Sequence, residues 1–195
     1  MALYVALALW TRSIWRLAPL LLPYLCLVAA IATIWAQVPG KPLPTETPVT
    51  WVEIHIVFAV LTYSLLTIGA VSGVAVMLQE HALKTKRPTR LTALLPSVVD
   101  AERMQVRLLG ATEIVLGFGL LTGVATQFVE TGGAMVINHK TVLSLVAFVV
   151  IGILLVAHFR TGIRGRRASR LVLLAYLLLT LGYPGVKFVT DILLA

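Results

Sequence analysis

The sequence predicts an all-α polytopic membrane protein, a bundle of about five transmembrane helices forming a single membrane domain over residues 1–195. Two observations predict it: the apolar content and the placement of charge. Only 12% of the residues are charged and 59% are hydrophobic, whereas ordinary soluble domains are about 25% charged. A water-soluble core of this size has no means of hiding so much apolar surface, so lipid must cover much of it. Thirteen of the sixteen Lys and Arg residues fall in three short stretches between apolar runs. Orientation in a bilayer produces that pattern. The net charge of +8 therefore does not point to nucleic acid, whose binding surfaces need no such alternation.

The elements follow in order. Residues 2–10 are apolar but too few to span, and read as the last half of a preceding helix; residues 1–16 thus form an N-terminal partial helix and flank. The first span runs from Leu17 to Val38 and holds the sole cysteine, Cys26, which excludes a disulfide framework and a CxxC motif and reads as inert packing. Because Arg12 and Arg16 follow the short apolar stretch and the next run is long enough to span, a cleaved secretory signal is not expected. The second span, Trp51 to Gln79, is longer than the roughly 20 residues a crossing needs, so tilt or a water-exposed end is expected. Asp100 to Arg107 begins the third helix as an amphipathic segment, and its span is Leu108 to Val129. The fourth is Thr141 to Phe159 and the fifth Leu171 to Thr190. Pro39 to Pro48 is an extended connection, Glu80 to Arg107 is the longest loop, and Gly132-Gly133 marks a tight turn.

Charge sets the orientation. Arg12 and Arg16 precede the first span; Lys84, Lys86, Arg87, Arg90, Arg103 and Arg107 lie between the second and third; Arg160, Arg164, Arg166, Arg167 and Arg170 lie between the fourth and fifth. The opposite side holds only Lys41, Lys140 and Lys187. The expectation is a bacterial-type inner membrane protein with its N-terminal flank cytoplasmic and its C-terminus outside. Gly69-Ala-Val-Ser-Gly73 and Gly119-Leu-Leu-Thr-Gly123 carry the GxxxG spacing that lets helices approach closely in lipid.

The four histidines are the candidates for chemistry. His55 lies one turn into the second span from the outer side, His139 at the outer start of the fourth and His158 at its inner end; His81 reads as a solvated residue of the inner loop. At 1.5 Å per residue, His139 and His158 stand roughly 28 Å apart and cannot share a ligand, whereas His55 and His139 are on one face of the membrane. His55, Thr62, Leu66, Gly69 and Gly73 fall on one stripe of a helix, which turns His55 toward the bundle interior. An imidazole there needs a hydrogen bond, a carboxylate or a metal, and both a packing role and a ligand role stay open. Glu113 shares a stripe with Gly110 and Gly117. Burying its charge costs on the order of 3 kcal/mol, so it is expected to be protonated or paired, with Arg107 or an arginine of the next inner loop within reach. Glu53 reads as a boundary residue. Walker A, GxSxG and HExxH motifs are missing, and no catalytic residue is expected.

Three stretches carry a family resemblance. They are His55-Ile-Val-Phe-Ala-Val-Leu-Thr-Tyr63; Asn138-His139-Lys140-Thr141-Val142-Leu143-Ser144; and His158-Phe-Arg160 with Gly162-Ile-Arg164-Gly165-Arg166-Arg167, followed by Gly182-Tyr183-Pro184-Gly185-Val186. In this order they resemble the cytochrome c assembly proteins of the CcsA/CcmC type, particularly the smaller YpjD- and HemX-like branch, over roughly residues 50–190. The resemblance implies heme handling in cytochrome c biogenesis, without covalent catalysis. It places His55 where an outer-face heme ligand stands, His158 where an inner-side ligand stands, and His139 where the larger members close their heme loop. The leading expectation is ligation of heme iron by His55 and His139 at the outer face, with His158 as an inner waypoint, and with heme and other cytochrome c assembly proteins as partners beside the lipid bilayer. The tryptophan-rich motif of the larger members has no counterpart, since Trp10, Trp15, Trp35 and Trp51 all precede its place. That keeps open an accessory or regulatory role toward heme-linked enzymes. A small-solute or proton transporter using Glu113 is the other alternative.

Overall fold

The computed structural model describes residues 4–5, 12–35, 49–130 and 139–182. Its helices are α1 (Arg12–Trp15), α2 (Ala18–Trp35), α3 (Val49–Thr85), α4 (Arg90–Leu94), α5 (Val98–Glu130), α6 (His139–Thr161) and α7 (Gly165–Thr180). The five longer ones occupy the five apolar runs. Three of them, α3, α5 and α6, are long and apolar enough to cross a membrane, and α2 contributes a shorter apolar helix over Ala18–Thr33. The far part of the fifth run lies outside the described residues, as do the Pro39–Pro48 connection and the Gly132-Gly133 turn.

Helix ends differ from the apolar runs for a local reason. Helix α3 continues to Thr85, past Gln79, because Gln-Glu-His-Ala-Leu-Lys are mostly good helix formers though largely polar. Its 37 residues extend about 55 Å, so an end must project beyond a hydrocarbon core of roughly 30 Å. His81 consequently sits on the last turns of α3 instead of in a loop. Helix α5 starts at Val98, with the expected amphipathic first turns. Ser97 caps it: its Oγ accepts from the Asp100 amide at 3.2 Å and donates to Asp100 Oδ2 at 2.7 Å. Helix α7 starts at Gly165, since the arginine-rich stretch is helical although polar. The short α4 inside the longest loop was not expected.

Helix α3 is the central element and packs along α5 and α7; α6 packs on α7 and α5, and α2 touches α3 lightly. One core cluster joins Leu17 and Leu21 to Leu65, Ile68, Val76, Leu95 and Met104. The other joins Leu66 and Ala70 of α3 to Leu109, Ile151, Leu154 and Val172. Both glycine pairs on α3 and α5 lie at close approaches. A Cβ at Gly69 would meet Leu109 at 3.6 Å, and one at Gly73 would meet Ser169 at 3.4 Å. Outward faces carry Val57, Val60, Ile114, Leu121, Ile153 and Val156, all exposed, as lipid-covered helices require. Cys26 is exposed on α2, so it is not a packing residue of the bundle.

Polar bonds tie the spans together inside this apolar frame. Tyr176 of α7 is hydrogen-bonded to Tyr24 of α2 and, at 3.2 Å, to Tyr63 of α3. Tyr63 also reaches Thr180 Oγ1 at 3.1 Å. Such bonds hold helices together where hydrophobic association gives no driving force.

Candidate functional site

His55 leaves α3 on the side that faces α5. Thr62 and Leu66, which share its stripe, are buried, so the ring points into the bundle as the periodicity predicts. Its Nδ1 lies 3.1 Å from the carbonyl oxygen of Gly119 and 3.2 Å from Thr122 Oγ1. A carbonyl oxygen only accepts, so Nδ1 donates. Thr122 Oγ1 in turn donates to the carbonyls of Phe118 and Gly119, each at 3.0 Å. Of the two neutral tautomers, this bond fits the one with its proton on Nδ1 and its lone pair on Nε2.

The Gly119-to-Gly123 pair seats this ring. A Cβ at Gly123 would lie 3.0 Å from His55 Cε1 and 3.4 Å from Nδ1. Spacing alone read the pair as helix packing. In the structure Gly119 supplies the acceptor and Gly123 the room. Gly123→Ala is expected to turn the ring while leaving α5 helical. Nitrogen-15 resonances of the imidazole, with helicity followed by circular dichroism, check it.

His158 repeats the arrangement at the basic end. Its Nδ1 donates to the carbonyl of Ile163 at 2.9 Å, again leaving the lone pair on Nε2. The backbone closes the same turn, with the Gly162 amide donating to the His158 carbonyl at 3.1 Å. Beside the ring is a cavity of about 20 Å³, lined among others by Glu102, Gln105, Leu154 and Arg164. It has room for about one water. Two glycines make the turn possible: Gly162 and Gly165 have φ of +67° and +66°, values that L side chains rarely adopt. The Gly165 amide donates to Glu102 Oε1 at 2.6 Å. A Cβ at Gly165 would collide with the carboxylate of Glu80. The Gly-Ile-Arg-Gly-Arg-Arg segment is therefore a turn bonded to the Glu102 carboxylate of α5 and packed against the Glu80 carboxylate of α3, which sequence separation concealed.

His139 opens α6, on the same helix as His158, so their separation along the axis is roughly 28 Å as expected. The side chain of His139 lies outside the described residues, and with it the expected meeting with His55. Glu113 sits at the contact of α5 with α6. Its Oε1 would be 3.0 Å from a Cβ at Gly152, and its buried Oε2 has no hydrogen-bond partner. The Arg107 guanidinium, expected within reach, is on an exposed residue. Glu53 is exposed, as expected. Gln105 and Ser169, which sequence reasoning passed over, form a buried pair at 3.3 Å between α5 and α7; Gln105 lies in the polar first turns of α5, where nothing local marked it as buried. Among the described residues, no three His, Cys, Asp or Glu side chains gather to hold a metal ion.

A family model described as "Cytochrome C assembly protein" matches residues 1–194. The chain is 58% identical over 194 residues to the "Uncharacterized 28.8 kDa protein in nifR3-like 5'region" of Azospirillum brasilense, covering 100% of this chain and 72% of that protein. It is 25% identical over 179 residues to the inner membrane protein YpjD of Escherichia coli K12, covering 92% of this chain and 66% of YpjD, just under two thirds. No solved structure matches the chain.

Proposed function

Because the chain belongs to the cytochrome c assembly protein family, we propose that it binds and handles heme in the inner membrane during cytochrome c biogenesis. The observation that carries the reading is the fixed ring of His55. Its proton is committed to Gly119 and Thr122 on Nδ1, which leaves Nε2 as the nitrogen able to coordinate iron. Metal-binding histidines are held in this way, with the second ring nitrogen bonded to a carbonyl. The ligand count also suits heme. A bare ion needs several side chains converging, whereas porphyrin iron already has four ring nitrogens and takes one or two axial imidazoles.

In this reading the basic end faces the cytoplasm and the C-terminus lies outside. His55 and His139 hold heme iron at the outer face, and His158 is an inner-side ligand. The protein's own contribution is to bind and orient, and heme is cargo. Other cytochrome c assembly proteins are the partners that would supply or receive it. The test is a heme titration of the purified chain. A Soret band that saturates at a fixed stoichiometry is expected, and a spectrum unchanged from free heme would overturn the reading.

The partnerless Oε2 of Glu113 favours a second reading, transport of a proton or small solute. The two separate on Glu113→Gln. Heme handling predicts an unchanged Soret band and a thermal midpoint equal to or above wild type, since a buried carboxylate costs on the order of 3 kcal/mol. Transport predicts loss of flux in Glu113→Gln and its retention in His55→Ala.

A further inference from the structure

The connection from α3 to α5 is built as a rigid platform, although its composition reads as a solvated basic loop. Gln79 Nε2 donates to the carbonyls of Thr92 at 2.8 Å and Pro96 at 3.0 Å. Arg16 donates to the carbonyls of Leu94 at 3.3 Å and Ala93 at 3.4 Å. Thr89 and Thr92 cap α4 reciprocally, backbone amide to side chain, at 3.2 and 2.9 Å. Leu95 and Pro96 are buried, with Leu95 in the core cluster. One side of the platform is thus fastened to the bundle.

What the platform leaves exposed is mixed in a particular way. Leu83, Leu91 and Leu94 are exposed, interleaved along the chain with exposed Lys84, Lys86, Arg87 and Arg90. Large apolar groups alternating with cations suit the boundary between acyl chains and headgroups, and suit water poorly. Between α3 and α4 lies an open hollow of about 520 Å³, lined by His81, Thr85, Arg87 and Thr89. Among the described residues, no carboxylate lines it. The nearest acid along the chain, Glu80, is directed instead at Gly165. Lys86 adds a further sign. It closes α3 at φ +52°, with the Arg87 amide donating to the Ala82 carbonyl at 3.2 Å. Glycine is the usual occupant of that position, so the backbone would be better served without a lysine side chain.

We propose that this platform is a binding site for the anionic phospholipids of the membrane leaflet at the basic end. The phosphate diester is received at the hollow of His81, Thr85, Arg87 and Thr89, with Lys84, Lys86 and Arg90 around it, and the exposed leucines enter the acyl boundary. The proposal is independent of heme.

The experiment measures the thermal midpoint of the full chain in bilayer discs of phosphatidylcholine or of phosphatidylglycerol with the same acyl chains. Wild type is expected to be stabilised by phosphatidylglycerol, and less so at high salt. Lys86→Gly with Arg87→Gln is expected to lower the apparent affinity for phosphatidylglycerol about tenfold. Arg167→Gln, in the other basic stretch, leaves it unchanged. Each variant's midpoint in phosphatidylcholine is its own reference for folding, and Lys86→Gly alone, which relieves the backbone, repeats the measurement if the double variant is unstable. Equal stabilisation by both lipids overturns the proposal. So does an equal loss in Arg167→Gln, which would show a general response to charge, or the same stabilisation by inorganic phosphate alone, which would show a small-anion site.

Discussion

On the proposed heme-binding reading, His55→Ala is expected to weaken heme binding at least tenfold, with little change in fold. The size follows from what the ring does. Disturbing an outer-shell partner costs about 10- to 100-fold in metal affinity, and deleting the donor nitrogen should cost no less. The structural cost is small because the ring contributes one shared hydrogen bond to Gly119 and Thr122, worth about 1 kcal/mol net. The measurement is a pair of heme titrations, wild type against variant, with circular dichroism as the fold control. Added free imidazole should restore part of that binding, since the space vacated on α5 at Gly123 is the size of the lost ring. An unaltered titration would remove His55 from the site.

Gly165→Ala is expected to be the most destabilising small change, by about 2–5 kcal/mol. A left-handed conformation costs a side chain about 1–2 kcal/mol, and forcing atoms into an occupied space typically costs about 1–3 kcal/mol more. Both apply at Gly165, where φ is +66° and the Glu80 carboxylate occupies the Cβ position. Gly162 is the internal comparison. Its φ is +67° with nothing within 4 Å of a built Cβ, so Gly162→Ala should cost the conformational part alone, about 1–2 kcal/mol. Thermal unfolding in detergent orders the two, and equal effects would show that Glu80 yields freely.

The spans were legible because membrane insertion is decided by the summed hydropathy of a local run, which needs no tertiary information. Their ends were less so. Beyond Gln79 and before Leu171 the chain stays helical on polar helix formers, and hydropathy is silent there. For His55, the inward direction followed from its stripe with Gly69 and Gly73. Its seat did not follow, because a period gives the direction of a side chain but not which helix lies opposite. Gly119 and Gly123 were visible as a pair, and their service to an imidazole needed the pairing of α3 with α5. The Tyr24, Tyr63 and Tyr176 bonds join three helices distant in sequence and had no local signature. The same holds for Glu80 and Glu102, which arrive from two helices at a turn on a third. His158 was placed at the basic end from sequence, and the reason its ring is held there, the Ile163 carbonyl, depends on a turn geometry that only its two glycines hinted at.

The imidazole of His55 is carried by one helix while its proton is held by another. Sliding α5 against α3 by a single residue, about 1.5 Å, would stretch the 3.1 Å bond to the Gly119 carbonyl and weaken it. The ring would then be held less firmly. Its bearing is thus a gauge of how two neighbouring rods are aligned, and anything bound to Nε2 would feel their displacement at once.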